Sequence, residues 1–371
     1  MAKILILYVD AGQGHRKVAE AVAEELRSRN ILGLQIEVFD ALKKTNWLFR
    51  RSYPFTYHHM VMWVPWLWGF FYYFTNLRAV YFLIAPLRSF WNWLQSGTLR
   101  HYLKQKRFDC IVFTHFFPAE VCATTKKKGL LNSKLITLVT DVIPHAVWQN
   151  PGTDHYWVMA DESVTALTKN GILPSQIHAG GIAVSSEFLK KLDVPALKSK
   201  FGLHPDRLTI LFTSGSFGIG PTEAVLNSLE PLGNGVQALV VCGNNQVLFS
   251  SLNQKRFSFP VILFGFVNNM YELMSVADLL VAKPGGATTC ESLVKNLPMV
   301  IMSPIPGQES YNAEWLVNHK AAFQIKDTNE IKDIVSKILN QRDVLNSMRQ
   351  AIKGIAKPQA SRDIADFILN S

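Results

Sequence analysis

Short apolar runs alternate with amphipathic segments along the first half of the chain. KILILYV, at residues 3–9, is typical of a strand buried on both faces. Residues 16–29 have helical periodicity, with one apolar face formed by Val18, Ala19, Val22, Ala23 and Leu26. The same patterns predict further strands at residues 34–39, CIVFTHF, KLITLVT and residues 177–182, and helices after Pro118 and at residues 161–170.

The second half repeats the alternation after a polar, basic linker, KKLDVPALKSKFGLHPD. Strands are predicted at residues 208–213, 236–242, 261–267, 299–302 and VADLLVA, and helices at residues 287–296, 330–339, 343–356 and 361–369. Strands alternating with helices predict an α/β protein with two Rossmann-like, doubly wound domains. We place the domains at residues 1–195 and 196–356, followed by a C-terminal helix within residues 357–371.

Charge is distributed unevenly along this sequence. The formal net charge of +10 comes from residues 41–108, which contain ten cations and no acidic residue. Six of the nine tryptophans lie in the same window, which favours a membrane-facing role over a soluble surface. The ten cations are Lys43, Lys44, Arg50, Arg51, Arg78, Arg88, Arg100, Lys104, Lys106 and Arg107.

Residues 60–77 of this window are uncharged and approach the length of a membrane span. Pro65, Gly69 and Asn76 interrupt the run, and its Trp and Tyr side chains prefer the headgroup boundary. We therefore predict an insertion that lies in one leaflet of an anionic membrane, with a soluble core segment and a true span as the alternatives. The apolar runs lack isolated stacking platforms, so no nucleic-acid partner is expected. Four scattered cysteines without metal or disulfide spacing indicate a reducing cytosol.

Two glycine-containing turns carry the candidate chemistry. KPGG at residues 283–286 lies between a predicted strand and a predicted helix, where free N–H groups and the helix dipole favour a phosphate. Glu291 follows about one turn into that helix, where its carboxylate can accept hydrogen bonds from ribose hydroxyls. The loop PIPGQE and Asn312 add groups suited to sugar hydroxyls. AGQGH, after the first strand, lacks the third glycine of a dinucleotide fingerprint.

These segments together resemble one glycosyltransferase family. KPGG, Glu291, PIPGQE, Asn312 and GQGHRKVAEAVAEEL resemble the monogalactosyl- and processive glucosyl-diacylglycerol synthases, whose wider group includes the lipid II synthase of peptidoglycan assembly. The resemblance implies a GT-B fold, in which two Rossmann-like domains face across a cleft and the last helix crosses back to the first domain. One departure is Gly180-Gly181-Ile182-Ala183, where the family has Thr-Gly-Ile-Pro.

The resemblance implies an inverting transfer of a hexose from UDP-glucose or UDP-galactose to diacylglycerol or a related lipid, at the cytoplasmic face of a membrane to which the protein binds peripherally. Proton removal from the acceptor calls for a base, for which His15 is the first candidate and Asp141 the second, unless Asp141 orients His15. His145 and Trp148 are the predicted acceptor-site residues. The predicted donor-site residues are Gly14, Gly215, Ser216, Gly218, Phe266, Val267, Lys283, Gly285, Gly286, Ala287, Thr288, Glu291, Gly307, Gln308, Glu309 and Asn312.

No cofactor and no metal are expected, because a DxD-type carboxylate pair is missing from the relevant loops and backbone amides can neutralise the departing diphosphate. Two other functions remain open. One is a lipid II synthase-like transfer of N-acetylglucosamine, and the other is a non-catalytic, membrane-associated protein that binds UDP-sugars. A UDP-sugar epimerase would have no use for the basic, aromatic window.

Overall fold

A computed structural model describes residues 2–10, 12–213, 215, 220–341 and 343–371. The first half forms a six-stranded parallel sheet in the order β2-β1-β3-β4-β5-β6. Helices cover both faces of such a sheet, so the apolar runs of the sequence become its strands, and five of the six residues of the first strand are buried. The strands are β1 (Lys3–Tyr8), β2 (Gln35–Asp40), β3 (Cys110–Phe113), β4 (Lys134–Leu138), β5 (His155–Val158) and β6 (Ile177–Ala179).

Among the described residues, seven α-helices belong to this half. The first helix packs through its predicted apolar face. The helix predicted to follow Pro118 begins at Phe116, two residues before that proline, because proline is tolerated in a first helical turn. The helices are α1 (Gln13–Ser28), α2 (Trp47–Trp63), α3 (Pro65–Asn76), α4 (Arg78–Gln95), α5 (Gly97–Lys106), α6 (Phe116–Lys127) and α7 (Asp161–Lys169).

Helices α2–α5 form the basic, aromatic window as an insertion between β2 and β3. Its uncharged run is broken at Val64, which has a non-helical backbone, because Pro65 disfavours helical geometry in the residue before it and starts α3. Helix α3 has twelve residues. It is therefore about 18 Å long, against about 30 Å for a hydrocarbon core. Within the described ranges, no helix is long and apolar enough to cross a bilayer.

A buried ion pair attaches the insertion to the first sheet. Arg88 on α4 donates to the carboxylate of Glu120 on α6 at 3.0–3.1 Å, and Asn92 donates to the same carboxylate at 2.7 Å. Glu120 is only 3% exposed. One of the ten cations of the window thus serves the packing of α4 rather than the surface charge.

The second half begins after α8 (Val194–Lys200) and forms another six-stranded parallel sheet in the order β12-β11-β10-β7-β8-β9. Its strands are β7 (Leu208–Thr213), β8 (Val236–Val241), β9 (Val261–Phe264), β10 (Leu279–Ala282), β11 (Met299–Ile301) and β12 (Ala322–Gln324). Its helices are α9 (Thr222–Ser228), α10 (Gln246–Asn253), α11 (Met270–Val276), α12 (Gly286–Val294), α13 (Gln308–Asn318), α14 (Glu330–Asn340), α15 (Asp343–Ile355) and α16 (Ala360–Asn370).

Helix α16 returns from the second half to α1 of the first. Ser361 Oγ donates to the carbonyl of Val184 at 2.7 Å and accepts from its N–H at 3.0 Å. Arg29 at the end of α1 pairs with Asp366 at 2.9 Å. Loops from the carboxyl ends of both sheets meet in shared cavities, so the predicted fold of two Rossmann-like domains facing across a cleft is confirmed.

Candidate active site

Two adjoining cavities lie between the halves, with volumes of about 350 and 250 Å³. We call the larger the aromatic cavity, because the insertion lines it with Tyr53, Tyr57, Trp68, Phe71 and Tyr72. We call the smaller the glycine-lined cavity. The two share a boundary formed by Gly12, Gly14, Tyr57, Gly285, Gly286, Ala287 and Glu309.

The two predicted glycine turns face each other across this boundary. A Cβ built on Gly14 would lie 3.8 Å from the Cβ of Ala287, and one built on Gly286 would lie 2.0 Å from the carbonyl oxygen of Thr140. Gly286 is therefore a position where the backbones of the two halves approach too closely for any side chain.

The glycine-lined cavity is suited to an anion. Helices α1 and α12 begin at its edge, at Gln13 and Gly286, so unpaired N–H groups and the positive ends of two dipoles lie beside it. Two cations, Lys17 and Lys283, also line it. Burial lowers the pKa of Lys283, and the nearby carboxyl of Glu309 opposes that shift. These groups can neutralise a diphosphate without a metal.

Glu291 lines the same cavity but has a protein partner. Lys17 Nζ, on the other half, donates to its carboxylate at 3.2 Å, and Glu291 is 4% exposed. Burial raises the pKa of Glu291, and Lys17 opposes the shift. The ribose contact of Glu291 stays a prediction. Sequence reasoning missed Lys17, although its place in the first turn after the GxGH loop was a usable signal.

His15 lies in the aromatic cavity with a defined tautomer. Its Nδ1 lies 2.5 Å from the carbonyl oxygen of Thr114 and donates to it, which leaves a lone pair on Nε2. The Thr114 hydroxyl donates back to the His15 carbonyl at 2.9 Å. Burial lowers the pKa of His15 to about 4, so the imidazole is neutral near pH 7. His115, missed in the sequence, packs edge-on against it with ring centroids 4.7 Å apart.

Asp141 lines the aromatic cavity but is not hydrogen-bonded to His15. Its carboxylate accepts from Trp148 Nε1 at 3.2 Å, so the role in which Asp141 orients or charge-stabilises His15 has no hydrogen bond behind it and stays a prediction. Burial raises the pKa of Asp141 to about 6. Burial also raises the pKa of Glu309 to about 7, although the Ile305 N–H donates to Glu309 at 2.7 Å.

His145 and Asn312 connect elements around the cavity. His145 Nε2 lies 2.9 Å from the Tyr72 carbonyl oxygen, and its Nδ1 accepts from the Val147 N–H at 3.1 Å. Asn312 Oδ1 accepts from the Val142 N–H at 3.0 Å, while its Nδ2 donates to the Pro284 carbonyl at 2.9 Å. Asn312 is fully buried, and each end of its amide makes one of these bonds, which leaves one N–H and one oxygen lone pair; its contact with a donor stays a prediction.

The remaining predicted donor residues divide between the cavities. Gln308 lines the aromatic cavity, whereas Gly307 has a positive φ of 98° and packs against the ring of Tyr72. Ser216 and Gly218 lie outside the described residues. The glycine-lined cavity contains Gly14, Gly215, Phe266, Val267, Lys283, Gly285, Gly286, Ala287, Thr288, Glu291 and Glu309.

Family comparisons cover both halves of the chain. The model of the monogalactosyldiacylglycerol (MGDG) synthase family matches residues 15–184, and that of the glycosyltransferase family 28 C-terminal domain matches residues 209–367. A processive diacylglycerol beta-glucosyltransferase of Staphylococcus epidermidis RP62A is 29% identical over 380 residues, covering 100% of this chain and 94% of the relative. That of Bacillus mycoides KBAB4 is 27% identical, covering 99% and 93%. The two models together match most of the chain, and the chain is similar to these glucosyltransferases over nearly its full length.

Solved glycosyltransferase structures have the same fold as this chain. MurG of Acinetobacter baumannii aligns over all of both chains with a TM-score of 0.63 and 15% identity. HepE of Anabaena in complex with UDP-glucose aligns over 100% of this chain and 99% of that one, with a TM-score of 0.61 and 16% identity. The predicted family, the GT-B fold and the class of hexosyltransferase are thereby confirmed.

Proposed function

We propose that this glycosyltransferase moves a hexose from a UDP-sugar to the hydroxyl of diacylglycerol or a related uncharged lipid, with inversion at the anomeric carbon. The observation that carries the proposal is the junction of the two cavities at Gly14, Gly285 and Glu309. A UDP-hexose in the glycine-lined cavity would have its sugar at this junction, beside an acceptor in the aromatic cavity.

The aromatic cavity supports an uncharged acceptor. Its lining contains no Lys or Arg among the described residues, and its two carboxyl groups belong to Asp141 and Glu309. A lipid that carries a pyrophosphate would therefore enter a site without a counter-charge, at a cost of several kcal/mol. This disfavours an acceptor of the lipid II pathway type and favours diacylglycerol, whose headgroup is one hydroxyl.

The reaction follows from the two cavities. The acceptor oxygen bonds to the anomeric carbon on the face opposite the diphosphate, the bond from that carbon to UDP breaks, and the hydroxyl proton goes to Nε2 of His15. The resulting imidazolium is stabilised by the Asp141 carboxylate, which lines the same cavity. The UDP leaving group is neutralised by Lys17, Lys283 and the helix N-termini.

The role of His15 has a direct kinetic test. Changing His15→Ala should lower kcat by about 10²–10⁴-fold and leave the KM for the UDP-hexose nearly unchanged, because the imidazole acts on the acceptor proton. Wild-type turnover in this variant would remove His15 from the base position and leave Asp141 as the candidate.

The exposed surface of α2–α4 supports attachment to a membrane. Arg50, Arg51 and Arg78 are exposed among these side chains. Each cation near an anionic leaflet contributes about 1 kcal/mol. Two of these helices, α2 and α3, also line the aromatic cavity, so a lipid could enter it from the leaflet they touch. The large exposed apolar side chains are Trp47, Leu48, Phe55, Met62, Trp63, Trp66, Phe70, Phe71, Tyr73, Phe74, Phe82, Leu83, Leu87, Phe90, Trp91 and Leu94.

An acceptor panel tests the proposed activity. UDP-glucose, UDP-galactose and UDP-N-acetylglucosamine are each offered with diacylglycerol or with a polyprenyl pyrophosphate-linked sugar in detergent, and release of UDP is measured. We expect release with a UDP-hexose and diacylglycerol. Release confined to UDP-N-acetylglucosamine with the pyrophosphate lipid would replace the proposal by the lipid II synthase-like alternative.

Vesicle flotation tests the proposed membrane surface. The double variant Trp66→Ser/Phe70→Ser removes two exposed rings one turn apart on α3 and should lower binding to vesicles rich in phosphatidylglycerol by at least tenfold. The control Leu173→Ser/Val247→Ser removes equally exposed apolar side chains outside the insertion and should bind like the wild type. Equal binding of both variants would contradict this surface assignment.

A further inference from the structure

Tyr57 lies at the junction of the two cavities, although it belongs to the insertion rather than to either glycosyltransferase sheet. It is on α2, the first helix of the insertion, and it lines both cavities together with Gly285 and Glu309. Among the described side chains, no other from the insertion lines this shared boundary.

The phenol of Tyr57 faces the loop that carries the predicted sugar-binding groups. Gln308 Nε2 donates to the Tyr57 hydroxyl oxygen at 3.4 Å. The hydroxyl proton of Tyr57 has no acceptor among the described residues, and Gln308 Oε1 is buried without a partner there. One free donor and one free acceptor thus lie side by side, which is the requirement of a ligand hydroxyl that both donates and accepts.

Several contacts hold the Tyr57 ring and the facing loop in place. Trp68 on α3 packs edge-on against Tyr57 with ring centroids 5.2 Å apart. A Cβ on Gly69 would lie 2.8 Å from the Pro306 side chain, and one on Gly307 would lie 2.6 Å from the Tyr72 ring. The insertion therefore packs directly on residues 306–308, and the position of Tyr57 relative to Gln308 is set by packing rather than by one long hydrogen bond.

The charges around Tyr57 keep its proton in place. Burial raises the pKa of the phenol first, and the nearby carboxyls of Glu309 and Asp141 raise it further, against the smaller effect of Gln308. The hydroxyl is thus a hydrogen-bond donor throughout the neutral range. Because the Tyr57 hydroxyl is close to both carboxyl groups, it would also lie near the anomeric carbon of a hexose bound at the junction.

We propose that Tyr57 is a specificity-determining residue that the insertion contributes to the donor site, where its hydroxyl and Gln308 together bind one hydroxyl of the donor hexose. This inference rests on the proposed function, because it names how the same site selects its sugar. It also makes the insertion part of the donor site, in addition to its surface for the membrane.

The test compares UDP with UDP-hexoses in the full-length protein. Tyr57→Phe keeps the ring that packs on Trp68 and removes only the hydroxyl. We expect the Kd of UDP to stay within twofold, whereas the Kd of the preferred UDP-hexose should rise about tenfold. The ratio of kcat/KM for the preferred hexose, glucose or galactose, to kcat/KM for the other should fall by a similar factor. Tyr102→Phe, at a tyrosine of α5 outside both cavities whose hydroxyl donates to Glu37, is the matched control and should change neither quantity.

Three results would overturn the inference. They are an unchanged preference between the two hexoses in Tyr57→Phe, an equal loss of affinity for UDP and UDP-hexose, and a wild type that binds UDP and every UDP-hexose equally. The Kd measurements need no lipid acceptor, so they test the role of Tyr57 separately from the proposed transfer. A wild type that discriminates UDP-hexoses but glycosylates no lipid would refute the proposed function alone.

Discussion

Gly286 offers the sharpest perturbation of the interface between the two halves. In Gly286→Ala the new Cβ would lie 2.0 Å from the Thr140 carbonyl oxygen, which is backbone and cannot rotate away. An ordinary contact begins at 3.4 Å, so the KPGG loop and the loop after β4 must separate by about 1.4 Å. A displacement of about 1 Å between donor and base can cost about 10²-fold in rate. We therefore expect kcat/KM for the UDP-hexose to fall about 10²-fold.

Gly354→Ala, on α15 and outside both cavities, is the control for this change. Its new Cβ would meet nothing within 4 Å, and a helical backbone suits alanine. This variant should keep kcat/KM within about threefold of the wild type. The assay is UDP release with diacylglycerol vesicles, accompanied by thermal unfolding of both variants. Equal activity of the two variants, or equal loss, would refute the claim that closure of the two loops positions the reaction.

Three further predictions concern the charged groups of the site. Asp141 must be ionised to stabilise the imidazolium, so kcat/KM should fall as the pH drops through the Asp141 pKa of about 6. In Asp141→Asn this fall near pH 6 should disappear. A wild-type kcat/KM that falls only near pH 4 would contradict this role of Asp141. Glu291→Ala should raise the KM for the UDP-hexose about tenfold with kcat nearly intact, and a change confined to kcat would argue against a donor contact. Treatment with EDTA should leave turnover unchanged, because Lys17, Lys283 and two helix N-termini lie at the glycine-lined cavity; restoration of a lost activity by Mg²⁺ would show otherwise.

Local sequence patterns predicted ten of the twelve described strands, all but β5 and β12, and many of the residues that line the glycine-lined cavity. The strand at Leu208–Thr213 was predicted residue by residue, because a parallel strand covered on both faces has an uninterrupted apolar run. The KPGG turn was predicted to connect a strand to a helix, and the structure has it between β10 and α12, lining the glycine-lined cavity. These features depend on residues that are neighbours in the chain.

Such local patterns could not predict the long-range contacts that the insertion makes or the contacts between the two halves. Tyr57 and Gln308 are separated by 251 positions, and no periodicity relates an insertion helix to a loop of the other sheet. The charge count placed Arg88 on the basic surface, whereas its partner Glu120 lies in the core of the first half. The partner of His15 is likewise the carbonyl of Thr114, 99 positions away, which only the folded sheet brings to it.

Product analysis tests the central claim most directly. The wild-type protein is incubated with radiolabelled UDP-glucose or UDP-galactose and with vesicles containing diacylglycerol and phosphatidylglycerol, and lipid extracts are separated and examined by NMR. We expect a labelled glycolipid whose anomeric configuration is opposite to that of the donor and which is absent when diacylglycerol is omitted. Label that stays on the nucleotide, appears only as free sugar, or enters a lipid with retained configuration would contradict it.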